Sequence, residues 1–275
     1  MLQGKYLEAL KKFRLIDDAF FSACFDDNAK DVEYILRIIL DKDDLKVLKV
    51  QTQKTAENIY GRSVRFDVFA TDTKGKLYNI EVQRADSGAI PQRARYNSVM
   101  LDYHELKKRE EFKALPESFV IFITEKDVIG DGEKIYHADR IIRETGKYFN
   151  DGTHIIYVNG SFKGEKGKPL DDLIHDFFCE NPQDMRHKQL ADRVSFLKEN
   201  KGEVDSMSSI IAEIFKDEIA EAAQKAKAEG ESEGKEKNLI ENIRSLMETT
   251  KWTAKQAMDA LKIPADEQEK YLELI

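Results

Sequence analysis

Residues 62–83, RSVRFDVFATDTKGKLYNIEVQ, constrain the fold of this chain more than any other stretch. Two strand-like runs flank Asp72-Thr73-Lys74-Gly75-Lys76, a short connection with glycine where a positive φ is needed, which predicts an antiparallel hairpin. A loop made of Thr73, Lys74 and Gly75 sets a register in which Asp67 faces Glu81 across the strands. In that register Val64, Phe66, Val68, Ala70, Tyr78, Ile80 and Val82 share one face, the expected core face. Arg65, Asp67, Asn79, Glu81 and Gln83 share the other. Two carboxylates opposed across a strand pair repel, and folding alone does not ask for them. A divalent cation held between them removes the repulsion, so the hairpin reads as a metal site.

With 275 residues, 41% of them hydrophobic, the chain has room for one sizeable domain and an appendage. Cys24 and Cys179 lie far apart with no metal-ligand spacing, and they read as buried or incidental thiols of a reducing compartment. The opening MLQGKYLEALKKF has no continuous apolar stretch, and no segment approaches a membrane-spanning length. No signal peptide and no membrane span are therefore expected, and a cytoplasmic location follows. The net charge of −8 sits mainly in residues 200–275, which carry 11 basic and 17 acidic side chains. A constitutive nucleic-acid binder is usually basic, so contact with nucleic acid has to come from a local patch.

Residues 1–40 read as helical, with Val32, Ile35, Leu36 and Ile39 forming a helix-period stripe. Residues 45–53 read as a first strand and the hairpin supplies the next two. Pro91 suits the first turn of a helix reaching about residue 110. Residues 118–125, SFVIFITE, suit a buried central strand. Residues 134–144 fit strand or helix equally, and His154–Asn159 reads as another strand. From Leu170 onward the pattern is helical. Leu173, Ile174, Phe177 and Phe178 make one stripe, Met185–Glu199 a second helix, and Ile210, Ile211, Ile214, Phe215 and Ile219 mark a third. Residues 224–238 are polar, a solvent-exposed helix or a linker. Two short helices, Thr253–Leu261 and Pro264–Leu274, end the chain. The order predicts an α/β domain over residues 1–200 and an all-helical C-terminal appendage over 201–275, which reads as an interaction region.

Phosphodiester cleavage needs an activated water, charge neutralisation on phosphate and help for the departing oxygen, all of which Mg²⁺ can supply. Mg²⁺ takes oxygen ligands and keeps several waters, so Asp67 and Glu81 suffice, with the Val82 carbonyl as a further ligand. Gln83 cannot carry charge, but its amide can orient water or phosphate. The following helix brings Gln92, Arg93, Arg95, Tyr96 and Tyr103 near the hairpin, and an arginine there can grip a phosphate through two parallel bonds.

The hairpin and the helix after it resemble the PD-(D/E)XK nuclease superfamily, and more narrowly its transposase-associated branch, the recombination-promoting nucleases. Asp67, Glu81-Val82-Gln83 and the Arg93/Arg95-Tyr96 stretch carry the resemblance. Leu15-Ile16-Asp17-Asp18-Ala19-Phe20-Phe21, Phe119-Val120-Ile121-Phe122-Ile123 and His154-Ile155-Ile156-Tyr157 extend it over roughly residues 10–200. The resemblance implies a mixed central β-sheet flanked by helices, a restriction-endonuclease-like core. It implies Mg²⁺-dependent (or Mn²⁺-dependent) cleavage of DNA and a context of transposition or recombination. Catalysis would fall to Asp67, Glu81 and Gln83, metal binding to Asp67, Glu81 and Val82, and DNA contact to Arg93, Arg95 and Tyr96. Glu33 matches the acidic position that the superfamily often carries on an early helix. Gln83 stands where the wider superfamily more often has lysine, which leaves no side chain as general base.

Plainer readings remain beside these. Asp67 and Glu81 also fit the solvent face of an amphipathic hairpin, Glu33 a helix surface, and Lys107-Lys108-Arg109 a solvated helix end where positive charge is favoured. None of the five histidines shows zinc spacing, and His154 suits a hydrogen-bonded structural role. A catalytically degenerate nuclease fold, using its helical tail as a homo-oligomerisation or interaction scaffold, is the rival to the endonuclease. An RNA nuclease is a third reading.

Overall fold

The computed structural model describes residues 10–58, 61–85 and 88–199, and in the tail 242–247, 249, 251–261, 263, 268 and 271. By internal contacts the chain divides into two compact units, Met1–Ser209 and Ile210–Ile275.

The first unit is built on a six-stranded mixed sheet of order β1-β2-β3-β4-β8-β5. Its strands are β1 (Val47–Ala56), β2 (Val64–Asp72), β3 (Leu77–Gln83), β4 (Ser118–Thr124), β5 (Ile135–Ala138) and β8 (Thr153–Asn159). β6 (Ile141–Ile142) and β7 (Lys147–Tyr148) form a separate two-stranded ribbon. The 134–144 segment, balanced between helix and strand in the sequence, is thus strand where it is regular. The β1-β2-β3 meander is antiparallel, whereas β3-β4 and β4-β8 pair in parallel, which suits the wholly buried β4, apolar from Phe119 to Ile123.

The helices follow their apolar periodicity. Helix α1 (Asp18–Phe25) and α2 (Ala29–Leu40) precede the sheet. In α2 the predicted stripe Val32, Ile35, Leu36 and Ile39 is buried. Asn28 caps its start by accepting the Asp31 N–H, and Asp41, at a φ of 51°, ends it by donating to the Arg37 carbonyl. Helix α3 (Pro91–Glu105) starts with proline at its first position and stops short of the expected residue 110. Helix α4 (Pro169–Phe177) buries Leu173, Ile174 and Phe177, with Phe178 only half-buried, and α5 (Lys188–Glu199) follows.

Both faces of the sheet are covered. Val120 and Phe122 turn to α3, in a cluster with Phe66, Phe69, Leu77, Ala94, Met100 and Leu101. Phe119 turns the other way, its ring under the Lys42 ammonium just past the end of α2.

The hairpin forms in the predicted register: Val68, Phe69, Ala70 and Thr71 pair with Ile80, Asn79, Tyr78 and Leu77. Gly75 has a φ of 80°, and one Asp72 carboxylate oxygen accepts the N–H groups of both Lys74 and Lys76 at 2.8 Å. Two expectations need correction. First, the face carrying Asn79 and Glu81 is not solvent-facing: α3 lies on it, and both residues are fully buried. Second, alternation does not hold through β2. Phe66 and Phe69, of opposite parity, lie in one cluster with ring centroids 6.2 Å apart. Phe66 therefore does not share a face with Val68 and Ala70. The break falls at Asp67, opposite Gln53 of β1, whose φ is 50°.

In the second unit, residues 242–247 are helical and α6 (Ala254–Ala260) starts with a reciprocal capping box between Thr253 and Gln256. Ile243, Ala257, Met258, Ile263 and Tyr271 form an apolar cluster. The helix marked by Ile210–Ile219, the polar run 224–238 and most of Pro264–Leu274 lie outside the described residues. No helix among the described residues is long and apolar enough to cross a membrane.

Candidate active site

The β2–β3 ladder ends at the Val68–Ile80 pair, one step before Asp67 and Glu81. The two are therefore not ladder partners, as the register alone suggested. Beyond the last pair, side chains replace backbone bonds: the Val82 N–H donates to Asp67 Oδ2 at 3.1 Å. Leu77 and Gln83 bond to β4, so Val82, of opposite parity, directs both its N–H and its C=O toward β2. The Val82 carbonyl thus points to the side where Asp67 stands.

Glu81 is held from two sides. Oε1 accepts the Asn79 amide at 2.7 Å, and Asn79 Oδ1 accepts the Asn97 amide of α3 at 3.1 Å. Oε2 accepts Arg93 Nη2 at 2.9 Å, while Arg93 Nη1 donates to the Gly88 carbonyl at 2.9 Å. Asn97 Oδ1 is buried with no hydrogen-bond partner. Burial pushes both carboxyls up. Asp67 is raised well above the usual range by desolvation, then by the Glu81 and Asp18 charges, against the Val82 N–H and Arg93. Desolvation pushes Glu81 up to about 7, opposed by Asn79, Arg93 and the Asp67 amide and assisted by Asp18.

These carboxylates stand by an open cleft of roughly 990 Å³. Arg62 and Arg65, both exposed, line one side; Arg95, exposed on α3, lines the other with Gln92 and Tyr96. Gln83 lies half-buried on the cleft, its Oε1 packed so closely on Gly88 that a Cβ there would displace it. Tyr96 joins the two sides. Its hydroxyl accepts the Asn58 amide at 3.1 Å and donates to the Arg62 carbonyl at 2.6 Å. His104, two turns further along α3, bonds the Glu57 carbonyl at 3.0 Å.

The structure brings Asp67, Glu81, Val82, Gln83, Arg93, Arg95 and Tyr96 to one place. Arg93 is engaged by Glu81 rather than open to a phosphate, and the Tyr96 hydroxyl is committed to the chain. Tyr103 lies exposed against the edge of the His104 ring. Glu33 stands elsewhere. Its carboxylate accepts the Val47 N–H at 3.0 Å and pairs with Arg37 and Lys46, so it fastens β1 to α2. His154 is structural as expected, bonded to Asp139 and stacked on Phe119. Sequence reasoning did not single out Asp18, Arg62, Arg65, Asn79 or Asn97 as members of a site. Asp18, in the first turn of α1, is the acidic residue from an early helix that lines the cleft. Its adjacency to the apolar Ala19-Phe20-Phe21 run was the available signal.

The candidate donors, the Asp67 carboxylate that lines the cleft, the buried Glu81 carboxylate and the Val82 carbonyl, are all oxygens, and burial disfavours both carboxylates as anions. An oxygen-seeking divalent cation fits that set and would relieve the cost. The family model described as PD-(D/E)XK nuclease family transposase matches residues 33–242 of this chain. No curated protein and no solved structure matches it.

Proposed function

The chain belongs to the PD-(D/E)XK nuclease family transposases, and from that premise we propose that it is a divalent-metal-dependent DNA endonuclease serving transposition or recombination. The observation that carries this reading is the pair of buried carboxylates, Asp67, which lines a cleft flanked by arginines, and Glu81, which is bonded to the lining residue Arg93. Asp67, Glu81 and the Val82 carbonyl would hold Mg²⁺ or Mn²⁺, with Asp18 as a third carboxylate nearby. Bound there, the ion would supply charge neutralisation on the scissile phosphate and lower the pKa of water.

The remaining work falls to the chain. Arg62, Arg65 and Arg95 would grip backbone phosphates on the two sides of the cleft. Gln83 would orient the attacking water or a phosphate oxygen through its amide. Asn79 and Asn97 keep the Glu81 carboxylate in one orientation. Arg93 would move to phosphate once Glu81 has another cation to face. The catalytic unit falls within residues 1–200, and residues 201–275 would serve self-association. Cys24 and Cys179 are both free, which suits the reducing cytoplasm.

The test is nicking of supercoiled plasmid DNA in Mg²⁺ or Mn²⁺ and in chelator. Asp67→Ala and Glu81→Ala should abolish metal-dependent nicking while the far-ultraviolet circular dichroism stays native. Nicking that persists in both variants rules the assignment out.

A further inference from the structure

A second cluster of metal-binding side chains lies away from the cleft. His175 and Asp176 sit in the last turn of α4, and Cys179 follows just past it. His175 and Cys179 are four residues apart and stack on one side of the helix end. The Cys179 N–H still returns to the Asp176 carbonyl at 3.2 Å, so the chain is coiled there. His175 Nδ1 lies 3.1 Å from Asp176 Oδ1 and 3.5 Å from Cys179 Sγ, and one ligand atom from each residue falls within 4.8 Å of the other two. Asp176 has no exposed surface, whereas His175 and Cys179 are half-buried, leaving the cluster open on one side.

The ligand atoms of a tetrahedral ion with ordinary zinc–nitrogen, zinc–oxygen and zinc–sulfur bonds stand about 3.3–3.6 Å apart. The two spacings measured from His175 Nδ1 sit close to that edge length. Asp176 is also fixed from behind. Oδ1 accepts the Arg186 N–H at 2.7 Å; Oδ2 accepts the His187 N–H at 2.8 Å and lies 2.9 Å from His187 Nδ1. Such outer hydrogen bonds orient a metal-binding carboxylate in advance.

We propose that His175, Asp176 and Cys179 form a site for a borderline-soft divalent cation of the zinc class, with one coordination position left to water. One sulfur, one nitrogen and one oxygen donor suit zinc, whereas Mg²⁺ and Ca²⁺ take oxygen alone. The charges balance. The thiol releases its proton to solvent and the imidazole keeps its proton on Nε2, so thiolate and carboxylate together neutralise the dication. Through Asp176 the ion ties the end of α4 to the 186–187 backbone that leads into α5. Spacing between the two cysteines hid this site; the useful signal was His and Cys one helical turn apart, with Asp next to the His.

The plain alternative is a helix-end thiol bonded only to the carbonyl four residues back, and Cys179 Sγ does lie 3.5 Å from the His175 carbonyl. The experiment that separates them uses the full chain, reduced, stripped with chelator and titrated with Co²⁺. The expected result is one equivalent of cobalt giving thiolate-to-metal charge-transfer absorption, bleached by Zn²⁺ and not by Mg²⁺. The band should vanish in Cys179→Ser, and affinity should fall roughly ten-fold or more in His175→Ala. Cobalt bound by the oxygens of the cleft gives no such band, and the other thiol, Cys24, is wholly buried. No charge-transfer band in the unsubstituted protein, a band that survives Cys179→Ser, or unchanged affinity in His175→Ala overturns the proposal.

Discussion

The Arg93 guanidinium stands 2.9 Å from Glu81 Oε2, joining a partly exposed cation to a carboxylate with no exposed surface. The same guanidinium lies 5.9 Å from the Phe122 ring centroid, so one residue bridges cleft and core. Removing one partner of a buried pair costs about 3–5 kcal/mol, because the other charge is left uncompensated. Arg93 is about one-third exposed and Glu81 can take up a proton, so solvent screening reduces that figure. Arg93→Ala should lower the stability of the metal-free protein by about 1–3 kcal/mol at pH 8 and by much less at pH 5, where Glu81 is already neutral. Urea unfolding at the two pH values measures this. An equal loss at both would mean that Arg93 acts through packing on Phe122 and not through charge.

Asp67 and Glu81 make metal-free stability depend on pH in a definite direction. Glu81 rises from its ordinary 4.5 to about 7 on folding, and Asp67 rises too. The folded state therefore binds more protons than the unfolded one between those values. Stability is complete below the unfolded pKa and is lost as pH climbs through the folded one. A divalent cation held there would offset this penalty, so the rise in melting temperature on adding Mn²⁺ should be larger at pH 8 than at pH 5.5. The Asp67→Asn/Glu81→Gln double variant should show neither the metal response nor this part of the pH slope. A Mn²⁺ shift retained in that variant would place the ion elsewhere.

Tyr96 spends both of its hydrogen-bonding capacities on the chain between β1 and β2, through Asn58 and Arg62. In the proposed function these bonds would fix where Arg62 stands relative to Arg95. Tyr96→Phe keeps the ring and removes both bonds, each worth about 1 kcal/mol. The expected outcome is a KM for DNA raised by roughly three- to ten-fold with kcat nearly unchanged, the mark of lost uniform binding. A fall in kcat at constant KM would instead put the phenol at the reacting phosphate.

Much of this arrangement could be read from the residues, and the losses have physical causes. The Asp72–Gly75 turn pinned the hairpin register, and the apolar SFVIFIT run located the central strand, because both signals are local. The burial of Asn79 and Glu81 was hidden because period-two alternation says which residues share a face but not whether a helix will cover it. Alternation puts Phe66 on the wrong face because the irregularity at Asp67 faces Gln53, a partner on another strand. Arg62 and Asp18 enter the cleft from the end of a connection and the start of a helix. No sequence spacing ties those positions to Glu81.

Gly88 offers a test of Gln83 that leaves the Gln83 side chain chemically intact. A methyl group at position 88 would overlap Gln83 Oε1, the free end of a flexible side chain, while its next nearest neighbours are Gln83 Cδ and Arg93 Nη1. The amide can swing away at little cost, so Gly88→Ala should change stability by less than about 1 kcal/mol. What it displaces is the group proposed to orient water or phosphate. Turnover should therefore fall to about the level of Gln83→Ala, and combining the two substitutions should add nothing further, since both remove one interaction. Plasmid nicking by the two single variants and the double variant, alongside urea unfolding, measures both quantities. Additive losses in turnover would show that Gly88 acts through Arg93, whose Nη1 it holds by its carbonyl at 2.9 Å, and not through Gln83.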